Sequence, residues 1–384
     1  MVLRTDDKGP APGQPRPAAW LAPVMRVLVT GAAGFIGSHI LEAALELGYE
    51  VRGFDSLTPT VHDGMPSYIP DDVDMMVADV RDAEAVARAL AGVDVVCHQA
   101  ALVGLGVDLA DLPGYCDVNV TGTATLLNAM GQAGVARLVL ASSMVVYGEG
   151  AYDCASHGRV RPDPRAREDL MARQFEPRCP RCGQALSTAT VTEDAPMDPR
   201  NAYAASKLAQ EHLAATWARL TGGRAVALRY HNVYGPRMPR DTPYSGVAAI
   251  FRSALEKGVP PRVFEDGRQQ RDFVHVSDVA VANLLALAST EDAPAGGLQS
   301  YNVASGHPHT VGEMATALAA EFGGGLVPEI TGEFRLGDVR HIVASPAAAE
   351  QGLGFRARVE FSTGIGEFSH APLREPARLP VTVG

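Results

Sequence analysis

The chain has 384 residues, 46% of them hydrophobic and 20% charged, with a formal net charge of −11. This length accommodates two domains or one large α/β domain with an added lobe, and the acidic balance argues against a nucleic-acid backbone as partner. No apolar run reaches the ~18 residues of a membrane span. Residues 1–24 are rich in Pro and Ala, without an apolar signal-peptide core, and read as a disordered extension. A soluble, cytoplasmic protein is the expectation, and five cysteines in a chain this long make no disulfide framework.

The first predicted strand is the apolar run Val27 to Val29. It meets Gly31, Gly34 and Gly37 and then an apolar-periodic segment, Phe35 to Leu47, that reads as a helix. Strand, glycine turn and helix in this order open a dinucleotide-binding unit. Gly31 would permit the tight turn, Gly34 a close approach of backbone N–H groups to a pyrophosphate at the helix N-terminus, and Gly37 close helix–strand packing. Taken alone, the pattern is also that of an ordinary Gly-rich turn. Glu50 to Asp55 reads as the second strand, and Asp55 lies 18 residues beyond Gly37. A carboxylate there can accept hydrogen bonds from both hydroxyls of an adenosine ribose and would repel a 2′-phosphate, which favours NAD over NADP; a plain turn residue is the alternative.

Met75 to Val80 is the third strand, with Asp79 near its end, and Asp82 to Leu90 a helix. Asp94 to Gln99 is the fourth strand, running into His98-Gln99-Ala100-Ala101, where small residues would let backbone pass close to a cofactor. Residues 115–133 read as a helix containing Asn119, and Arg137 to Ser143 as the fifth strand. The alternation predicts a Rossmann-type, doubly wound parallel sheet with ligands at the carboxyl ends of its strands.

Further on, Asp198 reads as a helix cap and Pro199 as the first turn of a helix that carries Tyr203 and Lys207 at i and i+4. An ammonium beside a phenol favours the phenolate, so Tyr203 would serve as a base near neutral pH. An exposed Tyr–Lys helix pair is the alternative. Arg224 to Val233 reads as the sixth strand. The remainder is less regular and is expected to form a smaller lobe with helices Tyr244–Lys257, Ser277–Thr290 and Val311–Phe322. Arg271 and Arg335 there offer guanidinium groups for a diphosphate, or are simply surface or ion-paired arginines. The expected organisation is an NAD-binding domain over 25–235 with an insertion at 149–198, a mainly substrate-binding lobe over 236–369, and a disordered tail over 370–384.

Within the insertion, Cys154 and His157, then Cys179 and Cys182, form C-x2-H and C-x2-C pairs separated by 21 residues. Three thiolates and one imidazole at this spacing suit a tetrahedral zinc with no open position, hence a structural metal. The surrounding segment is rich in Arg and Pro and poor in apolar residues, so it would fold poorly without a staple. Free thiols on a mobile loop, or a Cys179–Cys182 disulfide, are the alternatives. Cys97 and Cys116 read as ordinary buried or half-buried residues. The module leaves the chain right after the fifth strand, beside Ser143, and is expected to border the substrate pocket.

As a set, these residues resemble the extended branch of the short-chain dehydrogenase/reductase superfamily, and within it the nucleotide-sugar epimerases and dehydratases. The matching pieces are Thr30 to Gly37, Asp55, Asp79-Val80, His98 to Ala101, Asn119, Ser143, Tyr203 with Lys207, and Arg229 to Pro236. The resemblance implies that Gly31, Gly34, Phe35, Ile36 and Gly37 hold the NAD pyrophosphate, Asp55 the adenosine ribose, and Asp79 and Val80 the adenine. Ala100, Ala101 and Asn119 would lie along the cofactor, with Lys207 on the nicotinamide ribose. It implies Ser143, Tyr203 and Lys207 as the catalytic group. Asn232, Tyr244, Arg271, Arg335 and Asp338, with Ser143, would face a nucleotide-diphosphate sugar. The family's 4,6-dehydratases carry an Asp-Glu pair just after the catalytic Ser/Thr; here those positions are Met144 and Val145, which transfer no proton. The implied activity is therefore 4-epimerisation through a 4-keto sugar, of a dTDP-deoxysugar such as dTDP-L-rhamnose or of a UDP-sugar, by a homodimer paired through the Tyr203 helix and the one near 115–133. A 4-ketoreductase, a dehydratase with other acids, or a non-catalytic NAD-binding scaffold remain the competing readings. His231, where these enzymes often have Phe, reads as either a sugar contact or a packed core histidine.

Overall fold

The computed structural model describes residues 25–104, 108–240 and 246–374. The expected N-terminal extension, Tyr244 and residues 375–384 lie outside the described residues.

Strands β1 (Arg26–Thr30), β2 (Glu50–Asp55), β3 (Asp74–Val77), β4 (Val95–His98) and β5 (Arg137–Ser143) join Arg224–Tyr230 and Gly297–Val303 in a seven-stranded sheet. Its order is Gly297–Val303, Arg224–Tyr230, β5, β4, β1, β2, β3, and every pairing is parallel. Both faces are buried, as a doubly wound sheet requires. Along β1, Val27 and Val29 point to one face, with Ile40, Leu41 and Val279; Leu28 points to the other, with Leu126, Met130 and Trp217. Helices Phe35–Glu46 and Val276–Ser289 cover the first face, and Ala83–Ala89, Gly122–Ala133 and Ala202–Thr221 the second.

Two elements that complete this domain come from beyond residue 235: the helix Val276–Ser289 and the edge strand Gly297–Val303. The expected sixth strand is also divided. Arg224–Tyr230 stays in the central sheet, the His231 amide still donates to the Val303 carbonyl at 3.1 Å, and Asn232–Tyr234 then pairs in parallel with Gln270–His275. His231 is thus the crossing point into the second lobe, whose core gathers Tyr234, Phe251, Phe273, Met314, Leu318 and Phe368. The chain after 370 does not begin a tail at once: Leu373 is buried, and the Arg374 amide donates to the Met238 carbonyl at 3.0 Å.

The expected helix at 115–133 is interrupted. Leu112–Tyr115 runs into a π-helical turn, Cys116–Thr121, before Gly122–Ala133 resumes α-helical winding. The widened turn carries Asn119 inward, where it is fully buried. Cys97 is buried as expected, but Cys116 is exposed. The helix Ala202–Thr221 is capped by Asn201, whose side chain accepts from the Ala204 amide at 2.8 Å. The expected cap, Asp198, lies three residues before the cap position because the helix starts only at Ala202, and it pairs instead with Arg161 and Arg200 at 2.7 and 2.5 Å.

The insertion is a small folded unit. Ala151–Cys154 is the central strand of a three-stranded antiparallel sheet with Gly158–Val160 and Ser187–Ala189. Its own buried apolar cluster is only Tyr152, Cys154, Val160, Cys179 and Leu186.

Candidate active site

The parallel register aligns the carboxyl ends of the strands: Thr30 beside Phe54 and His98, and Ser143 beside Tyr230. The glycine turn sits on this edge. Gly31 has φ +68°, and a Cβ there would meet Ala100 and Gln99 backbone at 2.8–2.9 Å. A Cβ on Gly37 would stand 2.0 Å from the Gly31 carbonyl oxygen. The helix that follows, Phe35–Glu46, starts on Gly34 without a side-chain cap, so the amides of its first turn, Phe35 and Ile36 included, face outward from an open helix N-terminus. The cradle fits a dinucleotide pyrophosphate. Asp55, buried at the end of β2, accepts from the Ala33 amide at 3.0 Å and the Leu57 amide at 2.9 Å, which fixes its carboxylate beside the turn. Asp79 is held by Arg81, whose amide and Nε both donate at 2.9 Å; this pairing keeps its carboxyl below the usual range. Val80 is buried in the core beneath.

Asn119 spends its amide on the protein. It accepts from the Leu102 amide at 2.7 Å and donates to the Leu102 carbonyl at 3.0 Å and to Ser206 Oγ at 2.9 Å. It therefore ties the loop after Ala100-Ala101 to the Tyr203 helix.

Ser143, Tyr203 and Lys207 converge at the same edge. Lys207 is buried, its Nζ lies 5.9 Å from the Tyr203 ring centroid and donates to the Ala141 carbonyl at 2.9 Å. Burial brings its ammonium down to about 8. The Tyr203 phenol does not follow the expected direction. Burial pushes it up to about 12, against a hydrogen bond with Ser143 that lowers it. In the folded protein the desolvation of the phenolate outweighs a lysine whose own charge is turned to a carbonyl. The Tyr115 ring packs 5.8 Å from that of Tyr203. Met144 and Val145 are half-buried directly after Ser143, and no carboxylate stands at either position.

Two polar networks under this group were not read from the sequence. In one, Thr30 Oγ1, His98, Thr123 Oγ1 and Gln210 are linked at 2.7, 3.0 and 2.6 Å. Burial, then the nearby Lys207, takes the His98 imidazole down to about 3, so it is neutral. In the other, Arg229 donates to both oxygens of Glu211 at 2.9 and 2.8 Å and to Tyr147 Oη at 2.8 Å, while Ser142 also bonds Glu211. Glu211 continues the Tyr203–Lys207 helical stripe by one more step of four, the one local signal that pointed to it.

On the lobe side, Arg271 donates Nη1 to the Gln270 and Arg340 carbonyls at 2.8 and 2.9 Å and Nη2 to Val339 at 2.8 Å. Much of its donor fork is thus engaged by backbone rather than left open. Asp338 lies close enough to oppose the downward pull of burial on the Arg271 guanidinium. Arg335 is exposed and stacks 4.9 Å above the Phe264 ring. Asn232 Oδ1 and both ring nitrogens of His231 are buried without a partner among the described residues. Burial lowers the His231 imidazole to about 4, which makes it a neutral, packed histidine.

The insertion brings its four expected ligands together. Cys154 Sγ lies 3.4 Å from His157 Nδ1 and 3.7 Å from Cys182 Sγ, and Cys179 Sγ lies 3.6 Å from His157 Nδ1. All four ligand atoms fall within 4.8 Å of one another. Zn–S bonds of ~2.3 Å and Zn–N bonds of ~2.0 Å in a tetrahedron separate ligand atoms by about 3.5–3.8 Å. Burial pushes the Cys179 thiol up, but the Arg181 and Cys182 amides and the neighbouring thiols overcome it and bring it to about 6.

Comparison with known proteins agrees with this geometry. The model of the NAD dependent epimerase/dehydratase family matches residues 27–170 and 181–304, passing over part of the insertion. The chain is 36% identical over 349 residues to dTDP-L-rhamnose 4-epimerase of Burkholderia thailandensis, covering 89% of this chain and 93% of that protein. It is 32% identical to UDP-glucose 4-epimerase of Mycolicibacterium smegmatis, covering 89% and 97%. Among solved structures it is similar to the UDP-glucose 4-epimerase of Thermus thermophilus in complex with NAD, with a TM-score of 0.71, 34% identity, and 90% and 98% of the two chains covered. With a glycine cradle, a buried carboxylate after β2 and a Ser–Tyr–Lys group on one sheet edge, the chain belongs to the NAD-dependent epimerase/dehydratase family.

Proposed function

We propose that this protein is an NAD-dependent nucleotide-sugar 4-epimerase acting on a dTDP-deoxysugar such as dTDP-L-rhamnose. The observation that carries the reading is the convergence of Ser143, Tyr203 and Lys207 beside the dinucleotide cradle, with the inert Met144 and Val145 where a dehydratase needs its acid and base. The choice of sugar rests on the 36% identity with the Burkholderia dTDP-L-rhamnose enzyme; a UDP-sugar is the second reading, favoured by the Thermus structure.

Bound NAD supplies the acceptor and donor of the C4 hydride. Gly31, Gly34, Phe35, Ile36 and Gly37 would hold its pyrophosphate, Asp55 its adenosine ribose, Asp79 and Val80 its adenine, and Ala100 and Ala101 the wall along it, which Asn119 would fix from behind through Leu102. Tyr203 takes the proton of the sugar C4 hydroxyl and returns it after the keto sugar has turned over. A phenol near 12 would reach that role only when positive charge is brought to it, which the Lys207 ammonium would supply. Ser143 hydrogen-bonds the reacting oxygen and Tyr203 together. Asn232, Arg271, Arg335 and Asp338 are assigned to the nucleotide-diphosphate side, and Tyr244 to the sugar pocket. Cys154, His157, Cys179 and Cys182 are assigned to a structural zinc. No helix among the described residues is long and apolar enough to cross a membrane. We place the protein in the cytoplasm as a homodimer paired through the Tyr203 helix and the segment 115–133.

The test is incubation of the purified protein with dTDP-L-rhamnose, and separately UDP-glucose, in D2O without added cofactor. Formation of the 4-epimer with no deuterium on carbon is expected, because the hydride leaves and returns on the same dinucleotide. A 4-keto product, deuterium at C6, or dependence on added NADH or NADPH refutes the epimerase reading.

A further inference from the structure

The zinc-ligand cluster lies in a module whose contacts lead to the substrate side of the site. Tyr152, two residues before Cys154 and fully buried, receives the His341 amide at 3.0 Å. Gly150 passes so close that a Cβ would stand 2.6 Å from the His341 carbonyl oxygen. Glu176, three residues before Cys179, accepts from Arg340 Nε at 3.0 Å and Nη2 at 2.6 Å, and its other oxygen meets His341 Nε2 at 2.8 Å. Arg340 has no exposed surface; its remaining donors go to Glu265 at 2.8 Å and Asp266 at 2.7 Å. The carbonyls of Val339 and Arg340 are the ones that hold the Arg271 guanidinium. Arg165 of the same module donates to the Asp338 carbonyl at 2.7 Å and pairs with Glu265 at 2.8 Å.

Resting on the nucleotide-sugar reading above, we propose that metal occupancy of the Cys154–His157–Cys179–Cys182 centre braces the diphosphate subsite, by fixing Tyr152 and Glu176 against Arg340 and His341 and so orienting Arg271. Ala151 and Val191 pack the base of the module on Ile342, but the end that carries the four ligands has little packing of its own. Two of the five residues in its buried cluster are themselves ligands, and so small a core does not secure a fold without a staple. With the ion bound, three thiolates and an imidazole pin both arms of the module at once. Without it, the arm that carries Glu176 is held less firmly, and the buried Arg340 loses the steady hold of one of its three counter-charges, Glu265 and Asp266 remaining. The dinucleotide cradle, built on β1, β2 and β4, receives no support from this path.

The experiment uses the full chain, with zinc measured by elemental analysis, NAD by release on denaturation, and dTDP and UDP affinity by calorimetry. Wild-type protein is expected to carry one zinc per chain. Cys182→Ser, at the exposed ligand, is expected to lose the zinc, keep its NAD and bind dTDP or UDP at least 10-fold more weakly. Glu176→Gln is expected to keep both zinc and NAD and still lose three- to tenfold in nucleotide affinity. Zinc-free wild-type protein with full nucleotide affinity overturns the proposal, as does either variant binding nucleotide like wild type. Should Cys182→Ser not fold, Glu176→Gln and reversible chelation of the wild type decide the matter. Wild-type protein that holds zinc and NAD but binds neither nucleotide overturns the nucleotide-sugar reading and this proposal with it; nucleotide binding indifferent to zinc overturns the brace alone.

Discussion

Replacing Lys207 by Met should abolish turnover and make the protein more stable. The unfolded chain keeps the lysine proton up to about 10.4, whereas burial lets the folded chain keep it only to about 8. At ~1.36 kcal/mol per pH unit this is a penalty of about 3 kcal/mol on the folded state below pH 8. Met fills similar volume without charge. Against the gain stands the lost bond to the Ala141 carbonyl at 2.9 Å, about 1.5 kcal/mol, the lower end of the range for a charged donor because that carbonyl lies within the β5 ladder. The net is about 2 kcal/mol, or a Tm rise of ~2–3 °C for a chain of this size. From pH 8 to above 10 the unfolded state holds more protons than the folded one, so wild-type stability rises with pH in that window and the advantage of the variant shrinks. Thermal melts of both proteins from pH 7 to 10, with dinucleotide removed because its binding would add to Tm, are the assay. A variant less stable than wild type at pH 7, or a difference that does not change with pH, refutes the reasoning.

Tyr203→Phe should lower kcat by ~10²–10⁴-fold while leaving NAD content and Tm unchanged, as read by steady-state kinetics, dinucleotide release and melting. Gly37→Ala should purify without NAD, since its Cβ would stand 2.0 Å from the Gly31 oxygen; a variant that keeps a full complement of NAD contradicts the cradle. Arg229→Met strands the Glu211 carboxylate, buried with Arg229 at 4% and 3% side-chain exposure, and should cost about 3–5 kcal/mol in denaturant unfolding. Adding Glu211→Met should recover most of that loss, and a double variant as unstable as the single one would count against a buried-pair origin.

How much of this is legible in the sequence depends on how local the physics is. Gly31, Gly34 and Gly37 state a backbone constraint within seven residues, and Tyr203 and Lys207 share a helix face whatever surrounds them. The convergence of Cys154, His157, Cys179 and Cys182 is legible because the short spacing within each pair is local. What escapes is settled by distant partners. Asp198 loses the cap to Asn201 because the chain stays non-helical up to residue 201, with Asp198 held by arginines at 161 and 200. The strand breaks at His231 because Gln270–His275 offers a second sheet. Arg340 reads as any surface arginine until residues 176, 265 and 266 surround it. The Tyr203 phenol departs from expectation for the same reason: the sequence displays the lysine four residues on, but not the desolvation that outweighs it.

The edge strand Gly297–Val303 sets the order in which this molecule can be made. Its partner, Arg224–Tyr230, leaves the ribosome some 70 residues earlier, roughly 4–15 s at ordinary synthesis rates. During that interval an apolar strand has an open edge, and helix Val276–Ser289 is not yet there to cover the face beside it. The insertion waits longer still, since His341 and Arg340 follow later in the chain. Nascent protein is therefore most exposed to misassociation in the stretch between these two events, and truncation anywhere before residue 345 should yield an aggregating chain rather than a free NAD-binding half.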